Sequence, residues 1–204
     1  MRDSNLPSYD TARHDTGAER NGVTVVRDLN GLQAAFSIRA ATYIAGQDCP
    51  YSEEFDGNDF TATHFLAYRK GEPVGTIRAR YFATFVKAER LSVLPRCRTS
   101  TVAFELVRAM RDFCKEKGYS RFYGHAQEGL EKFWARFGMR AVEGRPPFPF
   151  SDRLYTEMIA EIDAHHDPIT PASDPYRIIA PEGMWDMPGV LKESARRGAT
   201  ASGY

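Results

Sequence analysis

The stretch from Lys87 to Phe137 constrains this chain more than any other, because it runs from a strand through a basic turn into an amphipathic helix, then a second strand and a second helix. Ala103, Leu106, Val107, Met110, Phe113 and Cys114 recur at three- and four-residue spacing, with Arg108, Arg111, Asp112, Lys115 and Glu116 between them. One face must therefore be buried. Lys115 and Lys117 complement the dipole of the last turn, and Gly118 supplies the stop. Arg121 to Ala126 reads as a short strand. A strand, a long helix and a strand favour a parallel or splayed pair, because a hairpin needs no such connection. Leu130, Phe133, Trp134 and Phe137 predict the second helix, ended by Gly138.

The connection from Glu89 to Thr101 is rich in guanidinium, hydroxyl and backbone N–H groups. The first amides of a helix lack internal partners and carry partial positive charge, so phosphate completes such a site. Arg98 is the cation placed to help, unless it is an ordinary solvent arginine.

This order of elements resembles the acyl-CoA N-acyltransferases of the GNAT superfamily. That family's turn carries Gln/Arg-x-x-Gly-x-Gly/Ala, whose amides hold the pyrophosphate of coenzyme A. Here the matching run is Arg98-Thr99-Ser100-Thr101-Val102-Ala103, with Thr101 where glycine is usual. The resemblance implies cofactor contacts from these six residues and from Val93 on the preceding strand. Phe133-Trp134-Ala135-Arg136-Phe137-Gly138-Met139 resembles the family's Phe-Tyr-x-x-x-Gly-Phe, with Trp134 in place of the tyrosine acid. Indole does not give up its proton, so that role is vacant.

A narrower resemblance, to acyl-homoserine-lactone synthases and long-chain N-acyl amino acid synthases, rests on Arg39, Tyr43, the run Glu53-Glu54-Phe55-Asp56, Gly75-Thr76-Ile77-Arg78 and Arg90. It implies substrate-binding roles for Arg39, Tyr43, Glu53, Asp56, Arg78 and Arg90, beside Trp134, and places Lys87 on the synthases' base. Together the resemblances cover about residues 23 to 162. They imply a mixed α/β fold: a central, mostly antiparallel sheet of about six to seven strands with a splayed parallel pair, flanked by helices. The implied donor is a coenzyme A thioester or an acyl-carrier-protein phosphopantetheine, with no metal.

Twenty-seven basic and 27 acidic side chains in 204 residues give zero formal charge, which does not favour a nucleic-acid backbone as partner. No apolar run is long enough to span a bilayer, and the N-terminus has no secretory signal. Cys49, Cys97 and Cys114 show no paired spacing, which fits a reduced cytoplasm.

Residues 1 to 22 read as a loose arm, and residues 23 to 162 as the acyltransferase domain. Residues 163 to 204 read as an irregular extension that frays from Ser194. Val23 to Val26 is a short strand, and Leu29, Leu32, Phe36, Ile38 and Ala41 predict a helix carrying Arg39 and Tyr43. Cys49 to Asp59 reads as a mobile loop. His64 to Arg69 and Val74 to Tyr81 form a hairpin, and Phe82 to Leu94 continues the sheet. Met139 to Val142 and Leu154 to Ala160 add strands, while Gly144 to Phe150 is too proline-rich for regular structure.

Acyl transfer from a thioester needs a neutral amine, stabilisation for the developing oxyanion and an exit for the thiolate. A thiol of pKa roughly 8.5 leaves without an obligatory acid, and an α-amine of roughly 7.7 to 8.0 is partly neutral already. The first point makes Trp134 tolerable where an acid is usual, and the second favours an α-amine, that of an amino acid or a derivative, as acceptor. The candidate bases are Glu89 and His125, on the strands flanking the turn, and the residues do not choose between them. Strand alternation sets Glu89, Leu91 and Val93 on one face, with Arg90 and Ser92 on the other.

Other readings fit the same residues. Arg39, Arg78, Arg90, Glu53 and Asp56 also suit a structural ion-pair network, and Phe133, Trp134 and Phe137 suit a core. Phe148 and Phe150 line either an acyl pocket or a hairpin packed for stability. Asp163-Ala164-His165-His166-Asp167 lacks ligand spacing for a metal. A non-catalytic acyl-CoA sensor and an interaction domain without cofactor remain the rival functions.

Overall fold

The computed structural model describes residues 6–12 and 17–197. Eight strands form one sheet: β1 (Gly22–Val25), β2 (Thr63–Arg69), β3 (Glu72–Tyr81), β4 (Val86–Val93), β5 (Arg121–Gln127), β6 (Arg140–Ala141), β7 (Phe148–Phe150) and β8 (Arg153–Glu161). Their order is β1-β2-β3-β4-β5-β8-β6, with β7 also paired to β8. Every pairing is antiparallel except β4 with β5. The expected class holds, with one strand more than expected.

Alternation along β2 sends side chains to two cores. Phe65 and Ala67 join the larger core, while Leu66 and Tyr68 join the smaller one with Ala35 and Ile38. Those last two lie on α1 (Leu29–Arg39), which Asp28 caps by accepting from the Gly31 amide at 2.7 Å. The helix runs on through a π-helical turn, Ala40–Ile44, into α2 (Ala45–Gln47), and α3 (Tyr51–Glu54) follows.

On the other face α4 (Val102–Glu116) buries Val102, Leu106, Val107, Ala109, Met110, Phe113 and Cys114, the expected stripe except that Val102 and Ala109 are buried and Ala103 only partly so. Its first turn lies close on β3. A Cβ at Gly75 would stand 2.8 Å from Val102 Cγ1 and 3.0 Å from Leu106 Cδ1, so glycine there sets how near the helix comes. The short helix α5 (Glu131–Ala135) follows β5.

Three expectations change. Part of the arm is ordered: Tyr9 and Asp10 are buried, because Tyr9 meets Phe113 edge-on at 5.3 Å and Asp10 receives Thr24 and Arg27. Residues 49 to 59 form α3 and a turn pinned by ion pairs. Proline does not prevent β7, whose Pro149 lies in a strand paired only to β8, across a two-residue turn with positive φ at Ser151 and Asp152.

The extension forms α6 (Pro175–Ile178) and α7 (Val190–Ala195) and returns to α4, where Trp185 lies 5.0 Å from Phe113. Residues 1–5, 13–16 and 198–204 lie outside the described residues, so most of the expected fraying does too.

Candidate active site

Strands β4 and β5 pair only at Val86 with Phe122, Lys87 with Tyr123 and Ala88 with Gly124. Beyond that point they part, and a cleft of about 900 Å³ opens between them. Gly124 sits at the fork, where a Cβ would come within 3.1 Å of the Ala88 carbonyl.

A bulge shapes the β4 wall. Thr76 faces Ser92 and Arg78 faces Glu89, so Ile77 alone opposes both Arg90 and Leu91. Arg90 takes φ 55°, a left-handed conformation costly for a residue with a Cβ. The expected alternation fails here, and Glu89, Arg90 and Leu91 all line the cleft. The surroundings hold the bulge in place. The Tyr43 hydroxyl, carried on the π-helical turn, donates to the Leu91 carbonyl at 2.8 Å, and Arg90 donates to the Glu53 carbonyl at 2.6 Å. Burial pushes the Tyr43 phenol up to about 12, so it remains a donor.

Arg39 and Arg78, expected to bind substrate, are fully buried and do not line the cleft. Arg39 pairs with Glu54 and with Asp59, each at 2.5 Å. Arg78 pairs with Asp56 at 2.7 Å, Asp59 at 2.7 Å and Glu89 at 2.8 Å. Arg90 adds contacts to Glu54 at 3.2 Å and Asp56 at 3.3 Å. Burial alone would lift the Asp59 carboxyl, but hydrogen bonds from Arg39 and Arg78 outweigh it and hold the group below its ordinary range. Asp56 is held low in the same way by Arg78, the Asn58 amide and Arg90.

Glu53 differs from its neighbours. It lines the cleft, and its Oε2 is buried without a partner among the described residues.

Glu89 and His125, the two candidate bases, both reach the cleft. Glu89 is tied at both oxygens, by Arg78 at 2.8 Å and Lys87 at 2.9 Å, with Arg80 at 3.8 Å. His125 belongs to a chain that the sequence did not reveal. The Tyr123 hydroxyl donates its one proton to Glu157, so its 2.9 Å contact with His125 requires Nε2–H as donor. Nδ1 then carries the free lone pair. Burial, reinforced by Lys87, lowers the imidazole to about 4, so the ring is neutral near pH 7.

Around the helix start, Val93, Arg98 and Ala103 line the cleft. Thr99, Ser100 and Thr101 are exposed on the turn beside it, and Val102 is buried against Gly75. Thr101 needs no glycine, since its φ is −78°, and its hydroxyl turns towards Glu105 at 2.5 Å. The amides of Thr101, Ala103 and Phe104 have no hydrogen-bond partner among the described residues. These groups suit a diphosphate. Trp134 is 7% exposed and belongs to the core as well as to the cleft wall, in edge contact with Phe133 at 5.3 Å.

Among the described residues no helix is long and apolar enough to cross a membrane, and no group of three or more His, Cys, Asp or Glu is placed to hold a metal.

Comparison with known proteins agrees with this geometry. The chain matches the Acetyltransferase (GNAT) family over residues 32–139, more than half its length. A Bacillus subtilis (strain 168) protein named as an acetyltransferase is 37% identical over 114 residues, 54% of this chain and 78% of its own. Among solved structures, FeeM, an N-acyl amino acid synthase from uncultured soil microbes, has TM-score 0.60 at 13% identity, covering 70% of this chain and 91% of FeeM. An aminoglycoside 6'-N-acetyltransferase complexed with coenzyme A has TM-score 0.57 at 14% identity, covering 71% of this chain and 99% of that one. At these identities the two structures share the fold. This chain belongs to the GNAT acetyltransferase family and is an N-acyltransferase of that class.

Proposed function

We propose that the protein moves an acyl group from a coenzyme A thioester to the nitrogen of a small amine, an amino acid or a derivative. The observation that carries this reading is the parting of β4 from β5 beyond Ala88 and Gly124, beside a helix start with unpartnered amides. In this reading Arg98 and the amides of Thr101, Ala103 and Phe104 hold the diphosphate, and the thioester lies along Val93 in the gap. The coenzyme A complex of the aminoglycoside acetyltransferase supports the donor class.

The cleft leaves room beyond an acetyl group, and Phe133, Phe148 and Phe150 give it apolar wall. The amine lone pair forms the new C–N bond at the thioester carbonyl. The C–S bond breaks with its electron pair on sulfur, and the amine proton passes to Nδ1 of His125. We assign the base to His125 because both Glu89 oxygens are occupied. Sulfur needs no dedicated acid, so Trp134 serves as wall. Tyr43 and Arg90 hold the β4 bulge, and Glu53 and Asp56 lie on the acceptor side.

The test offers acyl-CoA of graded chain length with a pool of amino acids and follows free thiol. Amine-dependent thiol release is expected. Release that ignores the amine, or no release with any pair, overturns the proposal.

A further inference from the structure

His125 lines the cleft, but Tyr123 and Glu157, the two groups bonded in a row behind it, do not. Strand register places them. Alternation along β5 puts Tyr123 and His125 on one face, and the antiparallel pairing with β8 sets Glu157 directly opposite His125. Two rings flank the imidazole, Tyr123 at 5.2 Å and Phe148 at 4.8 Å, and limit how it can turn.

Glu157 accepts from Tyr123 and, at 2.8 Å, from Arg145. The Tyr123 hydrogen bond, with the Arg145 charge, holds its carboxyl below the ordinary range, so it is ionised at neutral pH. An ionised carboxylate can only accept, and it claims the one proton of the phenol. The phenol oxygen is then left to accept from the ring, which puts the imidazole hydrogen on Nε2. Nδ1 has no hydrogen-bond partner among the described residues. Lys87 and Glu89 act on the ring by charge from β4, but neither bonds a ring nitrogen, so neither selects the tautomer. Without the carboxylate the selection reverses: the phenol turns its proton to Nε2, and the ring hydrogen moves to Nδ1.

We propose that Glu157 is a positioning residue for acyl transfer, which acts through Tyr123 to keep Nδ1 of His125 free to take the amine proton. A carboxylate placed behind an imidazole in this way also stabilises the charged ring as it forms. From Nδ1 the proton goes to sulfur as the C–S bond breaks, so one neutral amine and one thioester give one amide and one thiol. Tyr123 and Glu157 neither gain nor lose a proton. The kinetic consequence rests on the acyl-transfer reading above; the choice of tautomer does not.

Imidazole nitrogen NMR on the whole protein, with His125→Gln identifying the signal, should show the Nε2–H tautomer near pH 7. Glu157→Leu should convert it to Nδ1–H and lower kcat roughly 100-fold, the low end of what a general base contributes, while KM and the coenzyme A thermal shift are retained. Adding Tyr123→Phe to Glu157→Leu removes the misdirected proton, so Nε2–H should reappear and most of the lost rate should return. A pair that merely braced the sheet would give a double variant worse than either single one. Nδ1–H in the wild type, a tautomer that Glu157→Leu does not move, an unchanged kcat, or no recovery in the double variant overturns the proposal. Failure of wild-type thiol release with every amine would instead sink the transfer reading, and the NMR would still decide whether Glu157 sets the ring.

Discussion

The Tyr43 hydroxyl donates to the carbonyl of Leu91 at 2.8 Å, so a π-helical turn in the first long helix holds the bulge on the strand that walls the cleft. Helix irregularities of this kind often mark functional positions, and here the irregularity aims one phenol at one carbonyl. Tyr43→Phe removes the donor and leaves the carbonyl bare. We expect a loss of about 1–2 kcal/mol in urea unfolding, and a fall in kcat larger than any change in coenzyme A affinity. An unchanged kcat with normal stability contradicts a positioning role.

Arg78 joins three carboxylates, Asp56, Asp59 and Glu89, at full burial. Removing one partner of a buried ion pair strands the rest, so Arg78→Ala should cost about 3–5 kcal/mol by chemical denaturation. A change within about 0.5 kcal/mol, the range of an ordinary surface substitution, contradicts this account.

Gly75 faces the first turn of α4. In Gly75→Ala the new methyl meets Val102 Cγ1 at 2.8 Å and the Ser92 carbonyl at 3.2 Å, and a valine held in one helical rotamer has little freedom to yield. The helix start should move away from the sheet. Stability should drop by about 1–3 kcal/mol, and the coenzyme A thermal shift should shrink with it. A full shift in the variant contradicts the placement of the phosphate cradle.

His125 has its imidazole lowered to about 4, against 6.5 for a free histidine. Between those values the unfolded chain binds the extra proton, so this contribution to stability is complete above pH 6.5 and is lost as pH falls towards 4. Asp59, lowered in the fold, adds stability that is complete above its ordinary value of 3.8 and disappears only at lower pH. Burial lowers His64 in the same direction, so unfolding free energy should fall in two stages on acidification, and His125→Gln should reduce the first without abolishing it. In wild-type protein kcat/KM should fall below about pH 8 as the acceptor amine takes up a proton. An inflection near pH 6.5 contradicts the lowered imidazole.

The fold was readable where side-chain period did the sorting. The stripe from Ala103 to Cys114 specified α4, and the crossover specified the splayed pair with β5. The bulge was not readable, because Arg90 is neither glycine nor asparagine and nothing local marks its positive φ. Asp59 escaped notice because its role is to bridge Arg39 and Arg78, each about twenty positions away. The acidic run was recognised, but Glu54, facing inward, takes the pairing while Glu53 faces the cleft. Glu157 and Arg153 sit on the last strand, and only the antiparallel register opposite β5 sets Glu157 across from His125. Alternation of Arg153, Tyr155 and Glu157 along that strand was the available signal.

Three residue pairs alone join β4 to β5, while the sheet on either side is paired in longer runs. Such a joint is a zip left half undone, and in the proposed reading a donor lodged in the opening would fasten the two plates together. Occupancy then raises stability in step with ligand supply by mass action. Starved of donor, the molecule is then expected to loosen first along this line, and its resistance to a protease should gauge how much thioester surrounds it.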